Sequence, residues 1–248
     1  DGVELVDLHF PTTDPAYLRD IKKQCIDSGL TIAGLAVSND FGPADRRLDE
    51  IEKVRQWCDI AAYLGAPVVR VFAGWLPAQP VEQQPGRIVG ALRKVFGQKG
   101  PDRRRMWSDV MYALRTSADY AAERGVALAL QNNRTDGIVG TPFELVQAVS
   151  DVGSPWMRIC LEPADFADPT GTDLAYTRTV QVHVRMRDVA EDGSEPALHW
   201  PEVLRSLKLG GYRGFVLLDY DGLEQPETAV PRASRHLRRV LHMLDRQQ

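Results

Sequence analysis

Short runs rich in β-branched and aliphatic residues alternate with stretches of helical periodicity along the whole chain. That alternation restricts the fold to a parallel sheet wound with helices, because parallel neighbours cannot be joined by a tight hairpin and need a crossover. Seven such runs are legible, at 3–9, 31–38, 67–75, 126–132, 156–161, 180–186 and 215–219. Between the second and third, Leu48, Ile51, Val54, Trp57, Cys58, Ala61 and Leu64 recur at steps of three and four and end at Gly65, which predicts an amphipathic helix. Thr141-Pro142-Phe143-Glu144 has a capping threonine, a first-turn proline and a glutamate three residues on, the signature of a capping box. A further stripe of Trp200, Val203, Leu204 and Leu207 stops at Gly210-Gly211, and a last helix is expected over 228–244.

Repeated βα units over 248 residues point to one domain spanning 1–248, a (β/α)8 TIM barrel of the α/β class. A closed barrel needs eight strands, and a unit takes about 30 residues. Seven strands beginning at residue 2 therefore suggest that the first βα unit is missing from this chain; the alternative is an open seven-stranded barrel. The Pro-, Gln- and Gly-rich stretch 76–102 is too polar for a core element and is expected to cover the barrel mouth.

A formal net charge of -4 supplies no basic field for nucleic acid or an acidic membrane surface. The longest apolar runs are strand-sized, short of the ~20 residues that span a bilayer. Cys25, Cys58 and Cys160 are odd in number and embedded in apolar patterns, which reads as buried thiols in a reducing, cytoplasmic setting. Homo-oligomerisation is left open.

In such barrels the strand C-termini and the loops after them form the active face. The polar residues there are His9, Asn39 and Asp40, Trp75, the run Gln131-Asn132-Asn133, Glu162 and Asp165, then His183, Arg185 and Arg187, and finally Asp219 and Asp221. Each also has a structural reading: a satisfied histidine, a solvated charge, or in Trp75 a roof on the core.

The segments Asp1-Gly2-Val3-Glu4-Leu5, Leu64-Gly65-Ala66-Pro67-Val68-Val69-Arg70-Val71-Phe72-Ala73-Gly74, Gly125-Val126-Ala127-Leu128-Ala129-Leu130 and Gly211-Tyr212-Arg213-Gly214-Phe215-Val216, in that order and spacing, resemble the sugar phosphate isomerase and epimerase family of xylose-isomerase-like barrels. The resemblance covers nearly the whole chain. It implies a divalent metal such as Mn, Mg or Zn, held by a Glu, an Asp, a His or Gln and a second Glu, with proton transfer next to a sugar carbonyl through an enediolate. Carried over, those four positions fall on Gln131, Glu162, Arg185 and Asp219, and all four differ.

Gln131 cannot take a proton and Arg185 cannot become a ligand. At ~4 Å and an effective dielectric near 20 an arginine beside a dication costs about 8 kcal/mol, so the ordinary site is badly weakened. The expectation is therefore an altered site with no metal or other cofactor, in which Arg185, Glu162 and Asp219 form an ionic cluster and carry the chemistry. His9, Trp75, Gln131, Asn133, His183 and Arg187 are the candidate contacts to a small carbohydrate. The resemblance implies an isomerase or epimerase, with a lyase as a variant, acting on a sugar or polyol derivative. The alternative is a non-catalytic carbohydrate-binding or regulatory barrel. An abasic-site endonuclease shares the superfamily, but Gln131, Asn133, Asp165 and Arg185 stand where its metal ligands belong, and the charge is wrong.

Overall fold

A computed structural model describes residues 1–76, 103–133 and 136–246. Its seven strands are β1 (Gly2–Val6), β2 (Thr31–Ala36), β3 (Val68–Phe72), β4 (Ala127–Gln131), β5 (Met157–Leu161), β6 (Thr179–Met186) and β7 (Phe215–Tyr220), parallel and hydrogen-bonded in chain order. The helices are α1 (Pro15–Asp27), α2 (Arg47–Leu64), α3 (Arg103–Glu123), α4 (Pro142–Val152), α5 (Trp200–Leu209) and α6 (Pro226–Asp245). The first strand is shorter than expected: the chain turns at Asp7 into a 3-10 turn, Asp7–His9.

The outward faces of the strands meet the helices in one apolar core. Leu35, Val69, Leu128, Leu130, Ile159, Val182 and Val184 are among its buried strand members. On α2 the stripe runs through Ile51, Val54, Trp57, Cys58, Ala61 and Leu64 and ends on Gly65 at φ 83°, a left-handed cap. Leu48 departs from the expected stripe and stays exposed. In that first turn Arg47 is directed inward instead, its guanidinium donating to the carbonyls of Phe41 and Gly42 and pairing with Asp109. All three cysteines are free and buried.

The sheet has one open seam. β1 and β7 are its edge strands, every residue of both is only partly buried, and a cavity of about 730 Å³ lies between them. It runs from Glu4, Arg70 and Arg185 in the barrel interior to Val230, Leu237 and Leu241 on α6. At the base of the seam the two edges approach each other, with the Phe215 ring of β7 against Gly2 of β1. The expected cover over the mouth, 76–102, lies outside the described residues except for Leu76, whose N–H donates to the Asp136 carbonyl.

On α4 the capping box is complete: the Glu144 N–H donates to Thr141 Oγ1 at 3.2 Å, and the Glu144 carboxylate accepts from the Thr141 N–H. Thr141→Ala removes one of these bonds and should lower stability by about 1 kcal/mol, read as a shift in the urea midpoint at unchanged slope.

Candidate active site

Side chains along a strand alternate between faces, so one parity of each strand enters the barrel. That parity brings Glu4 from β1, Arg70 and Phe72 from β3, Gln131 from β4, His183 and Arg185 from β6 and Asp219 from β7 to the same cavity. Glu162 follows β5 directly and is held by Asn132. The Asn132 amide donates to the Glu162 carbonyl and accepts from the Glu162 N–H, both at 2.9 Å, extending the β4–β5 ladder by one rung in side-chain form. Asn39 does the same to Phe72 at 2.8 and 2.9 Å.

Arg185 is the hub. Its Nη1 donates to both oxygens of Asp165 at 3.0 and 3.1 Å, and its Nε donates to Asp219 Oδ2 at 3.1 Å. Glu162 Oε2 lies 3.7 Å from Nη2, an ion-pair separation too long for a hydrogen bond. Burial opposes the charge on Arg185, but the carboxylates of Glu162, Asp165 and Asp219 outweigh it and raise its pKa.

Glu162 has no exposed surface and neither carboxyl oxygen has a hydrogen-bond partner. Two pulls compete on it. Burial favours the neutral acid and Arg185 favours the anion, but the guanidinium is already shared between Asp165 and Asp219, which themselves repel a third charge. Burial prevails, and the pKa is pushed up to about 8.

One layer deeper, His183 Nε2 faces Glu4 Oε2 at 3.2 Å, without the alignment of a hydrogen bond. Burial works against protonation of His183, yet its contacts with Cys160 and Glu4 raise its pKa well above the usual value. Burial also acts against ionisation of Glu4, and His183 together with Arg70 overcomes it, so Glu4 is lowered.

The other expected contacts divide. Gln131 and Asn133 are buried, each with its side-chain oxygen unpartnered. Trp75 stands beyond the end of β3 with its ring 5.3 Å from that of Phe72, and its backbone N–H donates to Asp40 Oδ1. Gly74 permits that approach at φ 114°, because a Cβ there would overlap the Asp40 carboxylate. Arg187 is exposed at the rim, within 3.9 Å of Asp165 and 3.7 Å of Asp221. His9 is not brought to the cluster: the chain leaves β1 three residues earlier than expected and exposes it on the 3-10 turn.

Two residues of the assembly, Glu4 and Arg70, lie outside the set of polar strand ends read from sequence, although a charged residue inside a strand and in phase with its inward set must face the interior. Asp165 belongs to that set, but its pairing with Arg185 had no sequence signal, because the 3-10 turn Pro163–Asp165 that aims it is irregular backbone.

Among the described residues, Glu162, His183 and Asp219 are a trio whose candidate ligand atoms lie within 4.8 Å of one another. No helix among those residues is long and apolar enough to cross a membrane.

A parallel barrel with its polar cluster at the strand C-termini defines a class, and comparison with known proteins names the family. Residues 1–240 match the xylose isomerase-like TIM barrel model, and the chain belongs to that family. Similar solved structures include D-psicose 3-epimerase from Clostridium cellulolyticum H10 with D-tagatose, at TM-score 0.77 and 15% identity over 98% of this chain and 89% of that one. L-ribulose 3-epimerase follows at TM-score 0.76 and 17% identity over 100% and 86%. A xylose isomerase-like TIM barrel protein from Mycobacterium smegmatis in complex with magnesium has TM-score 0.73 and 15% identity over 98% and 85%. At these identities the likeness is one of fold. No curated protein sequence matches the chain significantly.

A carboxyl whose folded pKa is raised from 4.5 to about 8 contributes stability that is fully present below the unfolded value and is lost as pH rises through the folded one. Stability should therefore fall by several kcal/mol between about pH 5 and about pH 9, and Glu162→Gln should flatten that fall in urea titrations at the two pH values.

Proposed function

We propose that this chain is a sugar or polyol isomerase or epimerase that moves a proton next to a carbonyl. In this reading Glu162 and Asp219 are the proton carriers, and Arg185 is the fixed cation that other members of the family supply as a metal. The observation that carries it is the contrast between two neighbouring carboxyls. Glu162 is sealed from water and neutral up to about pH 8, whereas Asp219 is part-exposed and bonded to a guanidinium. Environments that differ so sharply assign an acid and a base.

The Asp219 carboxylate takes the proton from the carbon beside the substrate carbonyl. The electron pair moves onto the carbonyl oxygen, which receives the Glu162 proton, and Arg185 stabilises the charge that develops there. In the enediol so formed, the neighbouring hydroxyl returns its proton to Glu162 while Asp219 delivers its own to the other carbon. Proton and charge balance at the end of the cycle. Phe72 and Trp75 offer ring faces for the C–H surface of a sugar, and Gln131 and Asn133 offer unpartnered oxygens for its hydroxyls. The sugars named for the epimerases of like fold accord with this substrate class.

A divalent ion is a poor fit to the family's four positions as this chain fills them. Gln131 offers a neutral amide, Arg185 is a permanent cation, and the carboxylates at 162 and 219 both face that cation. The trio with His183 is no better, because His183 already faces Glu4 and an ion there would lie against Arg185.

Incubation in D2O with a panel of ketoses and aldoses, followed by NMR, tests the reading. Deuterium should enter at the carbon beside the carbonyl, chelator should leave the rate unchanged, the rate should fall as pH rises through about 8, and Glu162→Gln should slow it by about 100-fold or more. Abolition by chelator with micromolar Mn or Mg affinity would restore a metal-dependent enzyme; saturable sugar binding without exchange would make the barrel a binding module.

A further inference from the structure

Among the described residues, Arg70 is a cavity cation that the proposed chemistry does not use, whereas Arg238 at the outer end pairs with Asp1. Arg70 is 8% exposed and lines the cavity one layer beneath Phe72, with its guanidinium 4.4 Å from the centroid of that ring. Its Nε and Nη1 have no hydrogen-bond partner, and no carboxylate among the described residues lies within ion-pair distance. Glu4 is near enough to feel the charge, but its close contact is with His183. Leaving a buried guanidinium without an acceptor costs several kcal/mol, so its fork of donors is suited to a ligand that enters with its own negative charge.

A second orphan points the same way. Gln131, 2% exposed, sits on β4 opposite Phe72 in the strand register, lines the same cavity, and leaves Oε1 unpartnered. A planar anion on Arg70 with a hydroxyl donated to Gln131 would satisfy both at once, and a guanidinium accepts a carboxylate through two parallel bonds. We propose that the substrate of this site is an acidic sugar, a polyhydroxy carboxylate, whose carboxylate is received by Arg70. This rests on the sugar reading above and narrows its substrate class.

The test uses matched pairs that differ only in oxidation of the terminal carbon: D-glucuronate against D-glucose, and D-fructuronate against D-fructose, by isothermal titration calorimetry of the whole chain at fixed ionic strength. The wild type should bind each acid at least about tenfold more tightly than its neutral partner, as a charge-assisted pair requires. Arg70→Met should erase that preference while leaving the neutral sugars within about twofold. Arg70→Lys, which keeps the charge and loses the fork, should retain part of it and serves if the methionine variant fails to fold, with thermal melting as the check. Equal affinity within the pairs, or an acid preference that survives loss of Arg70, overturns the inference and leaves the sugar reading standing. Failure to bind any of the four overturns both.

Discussion

Arg185 organises the mouth of the barrel because three carboxyl groups converge there and a low-dielectric interior cannot hold them all as free anions. The guanidinium fork takes Asp165 through one nitrogen and Asp219 through another, which shares one positive charge between two carboxylates and leaves the third group, Glu162, without a hydrogen bond. Burial is the largest influence on Glu162, and a guanidinium already engaged by two other carboxylates does not overcome it. Burial sets the raised pKa and the ion cluster adjusts it, with Asp165 acting on Glu162 both directly and by engaging Arg185.

The precision of the site comes from backbone. Phe72 is the last residue of β3 and Glu162 lies just past β5, so both would otherwise sit at the frayed ends of their ladders. Asn132 and Asn39 each continue a ladder with a side-chain amide that both donates and accepts, fixing the following residue as a strand partner would. Asp40 extends the same principle to Gly42 and Trp75. In the proposed reaction Asn132 need not touch the substrate to matter, since a shift of about 1 Å in Glu162 would be costly.

Beneath this rim the interior is more polar than a packed barrel usually is. Glu4, His183 and Arg70 lie where bulky aliphatics commonly fill such barrels, and the seam between β1 and β7 continues the same space outward to α6. Arg185 and Asp219 at the rim and Arg70 and Glu4 below it therefore line one cavity of about 730 Å³.

Period-two and period-3.6 patterns are local, so the strands, the buried stripe of α2 and the capping box of α4 were all legible in the chain by itself. The family resemblance and the substitutions at Gln131, Glu162, Arg185 and Asp219 were equally a matter of sequence. Glu4 and Arg70 were within reach of the same parity argument and were passed over because they sit mid-strand. What the chain could not disclose is which carboxylate Arg185 would hold. Asp165 owes its place to a 3-10 turn with no periodic signal, and His9 lost its place to another at Asp7–His9. The protonation of Glu162 was hidden for a deeper reason: a pKa is set by exclusion of water and by distances among residues 162, 165, 185 and 219, and those distances exist only once the strands are side by side.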